Sequence, residues 1–337
     1  MHKVSIVTGT WNRFDLVCQM IESALNQTYP IHEIIVVDDC SPDDAYSRLL
    51  AKYRTNAKVK VFTQLVNTGG VPNWNAAINY AQGDWIAWCS DDDQLFKDHI
   101  ENCMSYIEQN PDVSVLHAAF ATSYEIEKKE PFKSIDNSIL SEIEVHPSRT
   151  STPIVIQEQQ ILPYYTKYYS WPFHPSTLVF KREVWENIGE FNPKYELADS
   201  EWFIRVVLNY KVAYLPHLGV LNRRHNGNWS NAMGSIKMQL EVNEMMQTFI
   251  QVMKEKRPSI RLNWNAILWK LNYEQILFRI FISRVRHGML QVADDAKIEL
   301  KKSSIVFKLL LNDFTLPAVY KLIGFFRKKD NFDLSPK

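Results

Sequence analysis

Five carboxylates stand in two short runs, Asp38-Asp39 and Asp91-Asp92-Asp93. Each follows a stretch that reads as a buried strand, residues 33–37 (EIIVV) and 85–89 (WIAWC). In open α/β sheets, ligands bind outside the carboxyl ends of the strands. Carboxylates crowded there repel one another and need a cation between them. Oxygen donors suit Mg²⁺ or Mn²⁺, and Mg²⁺ is typically held by one or two carboxylates together with phosphate oxygens. The chemistry implied is a divalent ion bridged to a diphosphate. A helix N-cap would account for one Asp at a strand end, but poorly for five on two strand ends. There is no G-x-G-x-x-G and no Walker lysine motif, so the site is neither a dinucleotide cradle nor a P-loop.

The elements that must position these residues alternate. Strands are expected over 3–8, 33–37, 59–63, 85–89 and 113–119. Helices are expected over 15–27, 43–53, 72–81 and 98–108, with Pro72 tolerated in a first turn. Strand and helix in alternation over about 110 residues give an α/β fold with a parallel sheet. Residues 124–160 lose the pattern and read as a polar loop. Beyond them, strands are expected over 176–180 and 212–214, and helices over 183–187 and 200–209. From about residue 235 the chain reads as helical. This divides it into a catalytic α/β domain, 1–234, and a helical region, 235–337.

Composition narrows the class. Of 337 residues, 46% are hydrophobic and 23% charged, an ordinary globular balance. Lys plus Arg and Asp plus Glu are 38 each, so no global field favours nucleic acid. The four cysteines are widely spaced, with no C-x-x-C pair, as expected for a reducing, cytoplasmic compartment. Neither a cleaved signal peptide nor a membrane span is expected. The neutral total hides a split: residues 1–251 hold 21 Lys and Arg against 30 Asp and Glu, and residues 252–337 hold 17 against 8. Within that basic region, residues 316–326 place Leu316, Val319, Tyr320, Ile323 and Phe326 at helical spacing beside Lys321 and Arg327. Such a helix suits the inner face of an anionic membrane. Packing on the catalytic domain or a subunit contact in a homo-oligomer is the alternative.

An ordered set of motifs carries a resemblance. VSIVTGTWNR (4–13), IESALNQTYP (21–30) with EIIVVDDCSPDD (33–44), NTGGVPNWNAAINYAQGDWIAW (67–88), CSDDDQLFKDHIE (89–101) and ADSEWFIRV (198–206) resemble, in order and spacing, family 2 inverting glycosyltransferases of GT-A fold. The resemblance runs from residue 4 to about 230. It implies a mostly parallel central sheet flanked by helices. It also implies metal-dependent transfer of a sugar from a nucleoside-diphosphate donor, a UDP-sugar, to a hydroxyl of a glycan or lipid-linked acceptor in cell-surface polysaccharide synthesis.

Residue by residue, the resemblance makes Thr10 and Asp39 contacts to the nucleotide base and Asp91 a contact to ribose or diphosphate. Asp92 becomes the metal ligand and Asp199 the general base. Arg223 and His225, in NRRHNGNWS, match an R-x-H loop, with Arg223 toward the donor and His225 toward the metal. Asn12, Arg13, Asn67, Gly69 and Asn75 lie in the matching blocks and are taken as further donor contacts. Trp171 and His174, in WPFHPS, are candidates to line the acceptor, since an aromatic face stacks on the C–H face of a sugar. Trp74, Trp85 and Trp88 read as core. Gly9 stands where proline is common, a change expected to affect rigidity only, and Ser90 stands where many members have the first Asp of D-x-D. A nucleotidyltransferase would need a glycine-rich basic loop after the first strand, which TGTWNR lacks. A non-catalytic sugar-nucleotide binder would have no use for Asp92 and Asp199 together.

Overall fold

In the computed structural model, residues 1–123, 144–145, 152–168, 174–225, 228, 235–286 and 290–303 are described. They divide into two units, one of residues 1–160 with 171–232, the other of residues 161–170 with 233–337.

The first unit is built on a sheet. Strand β1 (Val4–Thr10) and strand β2 (Glu33–Asp38) are buried along their whole length, as continuous β-branched runs must be when both faces are covered. Each fully buried Val or Ile there contributes roughly 1.5–3 kcal/mol relative to exposure. Helix α1 (Phe14–Leu25) buries Val17, Met20, Ile21 and Ala24, one apolar stripe at helical spacing. Helix α2 (Ala45–Tyr53) leads to β3 (Val59–Thr63), an edge strand that is only partly buried. Helix α3 (Gly70–Tyr80), β4 (Trp85–Trp88), the short β5 (Gln94–Leu95), α4 (His99–Gln109) and β6 (Val115–Ser123) follow.

Next come β7 (Glu144–Val145), β8 (Ile154–Ile156), α5 (Glu158–Tyr168), a 3₁₀ turn (Pro175–Thr177), β9 (Val179–Lys181), α6 (Arg182–Ile188), α7 (Ala198–Val207) and β10 (Val212–Arg223). The sheet order is β3-β2-β1-β4-β9-β6-β10-β5, with β7 on β6 and β8 on β10. The long ladders β3-β2-β1-β4 and β6-β10 are parallel. The three-residue β9 runs antiparallel between β4 and β6 and joins these two parallel sets.

Several expected boundaries move. Helix α3 starts two residues early, with Pro72 in its first turn where a missing N–H costs nothing. Residues 176–180 begin as a 3₁₀ turn because Pro175 opens it and the His174 side chain caps it. The expected strand 212–214 extends to Arg223, and the polar stretch 124–160 contains β7, β8 and the start of α5. Helix α7 starts at Ala198, so Asp199 lies inside its first turn rather than before it.

Gly9 does more than alter rigidity. A Cβ there would come within 2.7 Å of Asn73 Nδ2 and 3.1 Å of Trp74 Cδ1. Asn73 is buried and cannot retreat freely, because its Nδ2 donates to Val37 O at 3.0 Å. Gly9→Ala is therefore expected to lower stability by about 1–3 kcal/mol, read as a fall in denaturation midpoint. An unchanged midpoint would show that α3 shifts at no cost.

The described residues of the second unit are helical. Helices α8 (Ser235–Lys256), α9 (Ile260–Arg286) and α10 (Leu290–Ser303) form it with residues 161–170. Tyr273, Leu277 and Phe281 of α9 pack with Ala293, Ala296 and Leu300 of α10, and Trp269 Nε1 donates to Asn243 Oδ1 at 3.1 Å. The expected helix 316–326 lies outside the described residues. Among those described, no helix is long and apolar enough to cross a membrane.

Candidate active site

The carboxyl ends of β1 and β2 are in register, Thr10 opposite Asp38, and Asp39 N donates to Thr10 O at 2.9 Å. The Asp39 carboxylate caps the next turn. Its Oδ1 accepts from Thr68 N and Thr68 Oγ1, and its Oδ2 from Gly69 N, all at 2.8 Å. Oδ2 thereby retains a second acceptor direction. Gly69 has φ +88°, a conformation that glycine adopts readily and that turns the chain into α3. These groups wall a cavity of about 610 Å³ whose lining includes Thr10, Asp39, Asn67, Gly69 and Trp74 together with Asp91 and Asp92.

The acidic end is built by the turn after β4. Asp91, Asp92 and Asp93 are all buried. Asp91 accepts from Thr10 Oγ1 at 2.8 Å and from Arg13 Nη1 at 2.9 Å. Asp92 Oδ2 lies 3.1 Å from each of Arg13 Nη1, His225 Nε2 and Asn228 Nδ2, while its Oδ1 accepts from Ser90 Oγ at 2.7 Å. Asp93 accepts from Ser176 Oγ at 2.5 Å and from Arg223 N at 3.1 Å, with His174 Nδ1 at 3.5 Å.

Burial opposes ionisation of all three carboxyls. Asp92 nevertheless ends below the ordinary carboxylate range, because the His225 hydrogen bond and the Arg13 charge outweigh it. Asp91 and Asp93 end above that range, since the Asp92 charge adds to burial. Two carboxyls driven toward the neutral form beside a charged one are a site short of positive charge. A hard divalent ion fits this oxygen-rich donor set. Arg13 Nη1 bridges Asp91 and Asp92 as an organic cation in the same role.

Other expected site residues separate. Asn12, at φ 54°, donates its N–H to Ser41 Oγ and lines a neighbouring cavity with Arg13 and His225. Asn75 is a correction: both ends of its amide are spent on the backbone of Phe191, Nδ2 on the carbonyl at 2.9 Å and Oδ1 on the N–H at 3.1 Å. Arg223 is a second correction. Its guanidinium is buried, bonded to Asp92 O, Leu16 O and Gln19 Oε1, so it braces the acidic turn from behind.

Asp199 is partly exposed. Burial of its carboxyl pushes its pKa above the ordinary value, against the Ser200 N–H at 2.8 Å and the nearby His174. It does not cap α7, whose N-cap is Leu197 with no side-chain cap bond. His174 packs against Phe120 as well as meeting Asp93. Trp171 lies outside the described residues.

Residues 5–175 match the model of Glycosyl transferase family 2, half of the chain. The chain belongs to this family. An uncharacterised glycosyltransferase of Haemophilus influenzae is 30% identical over 114 residues, 34% of this chain and 37% of that protein. TarS of Staphylococcus aureus, a poly(ribitol-phosphate) beta-N-acetylglucosaminyltransferase, is 28% identical over 113 residues, 33% of this chain and 20% of TarS. The matched part is thus little more than a third of the first relative and a fifth of TarS. The crystal structure of TarS residues 1–349 in complex with UDP-GlcNAc aligns over 96% of this chain and 89% of that one, with TM-score 0.62 and 17% identity. A mannosyltransferase of Pyrobaculum calidifontis, in complex with GDP-Man and Mn²⁺, aligns over 97% and 83%, with TM-score 0.50 and 16% identity. The fold is GT-A, and this family 2 glycosyltransferase carries helices after it.

Three residues of this family 2 site escape a reading by motif. Asn228 reaches Asp92 and also Arg223 O at 3.1 Å. Ser176 Oγ donates to Asp93 and accepts from Ser90 N at 3.1 Å. Asn228 lies inside the NRRHNGNWS loop and Ser176 inside WPFHPS, so only a partner search within those loops would have found them. Trp74, read as core, lines the cavity and stands edge-on to the buried Trp88.

Proposed function

We propose that the chain transfers a sugar, with inversion, from a UDP-sugar to a hydroxyl of a glycan or lipid-linked acceptor in cell-surface polysaccharide synthesis. Mn²⁺ or Mg²⁺ is held at Asp92 and His225. The observation that carries this reading is one cavity lined both by Asp39 and the Asn67–Gly69 turn and by the acidic pair Asp91 and Asp92, with Thr10 between them. The spare acceptor direction on Asp39 Oδ2 suits the N–H of a uracil ring. TarS supports the reading through its UDP-GlcNAc complex, and the mannosyltransferase through its Mn²⁺.

When bound, the ion supplies positive charge to the leaving diphosphate. The chain's own groups do the rest. Asp91 fixes Thr10 and Arg13 at the cavity wall, and Arg13 brings a cation to the phosphate end. Asp199 takes the proton of the acceptor hydroxyl as general base. Its raised pKa makes it a better proton acceptor than an ordinary carboxylate. His174 lines the acceptor side. Screening UDP-, GDP-, CDP- and dTDP-sugars for hydrolysis with and without Mn²⁺ tests the reading. Ion-dependent turnover of a UDP-sugar is expected; turnover of none, with nucleotide binding intact, would mark a non-catalytic binder.

We further propose that the helical region holds the enzyme on the inner face of an anionic membrane. Helix α9 supports this. Ile260, Trp264, Ile267, Leu268 and Leu271 are each at least 50% exposed. At 3.6 residues per turn they span roughly 100° of arc. Arg261 and Lys270 flank that face, and residues 257–273 contain no acidic residue. Each basic residue near an anionic surface contributes about 1 kcal/mol, screened by salt. Binding to phosphatidylserine vesicles is expected, and to weaken as salt rises and with Trp264→Glu. A concentration-dependent dimer that ignores vesicles would make the face a subunit contact instead.

A further inference from the structure

A second cluster of metal-ligating side chains lies outside the acidic turn. His99 and Cys103 stand one helical turn apart on α4, so they share a face. Opposite them is His217 of β10, where the register against β6 shifts between Leu215 and Leu218. That irregularity at Pro216-His217 re-aims the imidazole onto α4, as β-bulges do. His99 Nδ1 lies 3.0 Å from His217 Nε2 and 3.8 Å from Cys103 Sγ. The three atoms all fall within 4.8 Å of one another. The His99 ring sits against bare backbone, since a Cβ on Gly219 would come within 2.7 Å of its Nδ1. His99 and Cys103 are fully buried, while His217 is partly exposed, which gives an ion both a dry pocket and an approach.

We propose that His99 Nδ1, Cys103 Sγ and His217 Nε2 form a binding site for Zn²⁺ or a divalent ion of the same class, separate from the oxygen-donor site at Asp92. Metal–ligand lengths of about 2.0 Å to imidazole and about 2.3 Å to thiolate place the vertices of a tetrahedron roughly 3.3–3.6 Å apart. The two printed spacings bracket those values and the third is within 4.8 Å, so closure needs shifts of roughly 1–1.5 Å, within reach of side-chain rotation. Imidazole and thiolate select Zn²⁺ over Mg²⁺ or Mn²⁺, which prefer oxygen. On binding, the S–H bond breaks and its proton leaves to solvent. The proton shared between the rings moves to the far nitrogen of its own imidazole, so one proton is released per ion. The fourth position falls to water on the His217 side. The bound ion would clamp α4 to β10, the strand that ends in Arg223 behind the acidic turn.

The test uses the full chain, stripped with chelator, saturated with Mg²⁺ to fill oxygen sites and titrated with Co²⁺. One equivalent is expected to produce a thiolate-to-cobalt charge-transfer band and the intense visible bands of a four-coordinate ion, both bleached by Zn²⁺. Cys103→Ser should abolish the charge-transfer band. His217→Gln, at a partly exposed position, should weaken Co²⁺ binding about tenfold or more. Cys40→Ser, which removes the exposed thiol, should change neither. No band in the wild type, or a band lost in Cys40→Ser and kept in Cys103→Ser, would overturn the proposal. Should Cys103→Ser not fold, unchanged Co²⁺ affinity in His217→Gln would overturn it alone.

Discussion

Asp92→Asn is expected to reduce transfer by about a thousandfold or more. Metal charge at a leaving diphosphate stabilises the transition state by several kcal/mol, and each 1.4 kcal/mol is about tenfold in rate. Asp92 is the carboxyl of its run whose pKa the surroundings lower, through the His225 hydrogen bond and the Arg13 charge. Asparagine keeps the size but removes the charge, and it presents an N–H₂ to Arg13 and Asn228, which are donors themselves. Mn²⁺-dependent UDP binding, followed by calorimetry, should weaken in parallel. Full activity of this variant would move the metal role to another residue.

Asp199→Asn is expected to lower kcat by about 10²–10⁴-fold while leaving UDP affinity unchanged, because only the proton acceptor is lost. The sign of its pH dependence follows from burial. The pKa of Asp199 is raised, and the base form is the ionised one. Wild-type activity should therefore fall on the acid side at a pH above the ordinary aspartate value of about 3.9 and recover as pH rises. Rate against pH at saturating donor reads this limb, which should vanish in the asparagine variant. A limb of the same position in both forms would assign the base elsewhere.

The parallel half of the fold is plain in the sequence because its strands are continuous apolar runs and its helices carry one apolar stripe. β9 falls within the strand expected over 176–180, but its antiparallel direction is set by neighbours β4 and β6 and has no mark in the sequence. β10 looked three residues long because Pro216 and His217 interrupt it. At the site, the sequence shows the two acidic runs, and the structure lines one cavity with Asp39, Asp91 and Asp92 and sets His225 against Asp92. The partners of Asn75 and Arg223, the backbone of Phe191 and of Leu16 and Asp92, carry no signature in sequence. Gly9 was undervalued for the same reason: what forbids a side chain there is Asn73, 64 residues on.

The most direct measurement of the central claim is proton NMR of the sugar released or transferred from an α-linked UDP-sugar, recorded with Mn²⁺ and again in excess chelator. Single displacement at the Asp92 site with Asp199 as base predicts a β-configured first product, formed with the ion and not in chelator. An α-configured first product, or an equal rate in chelator, would contradict it.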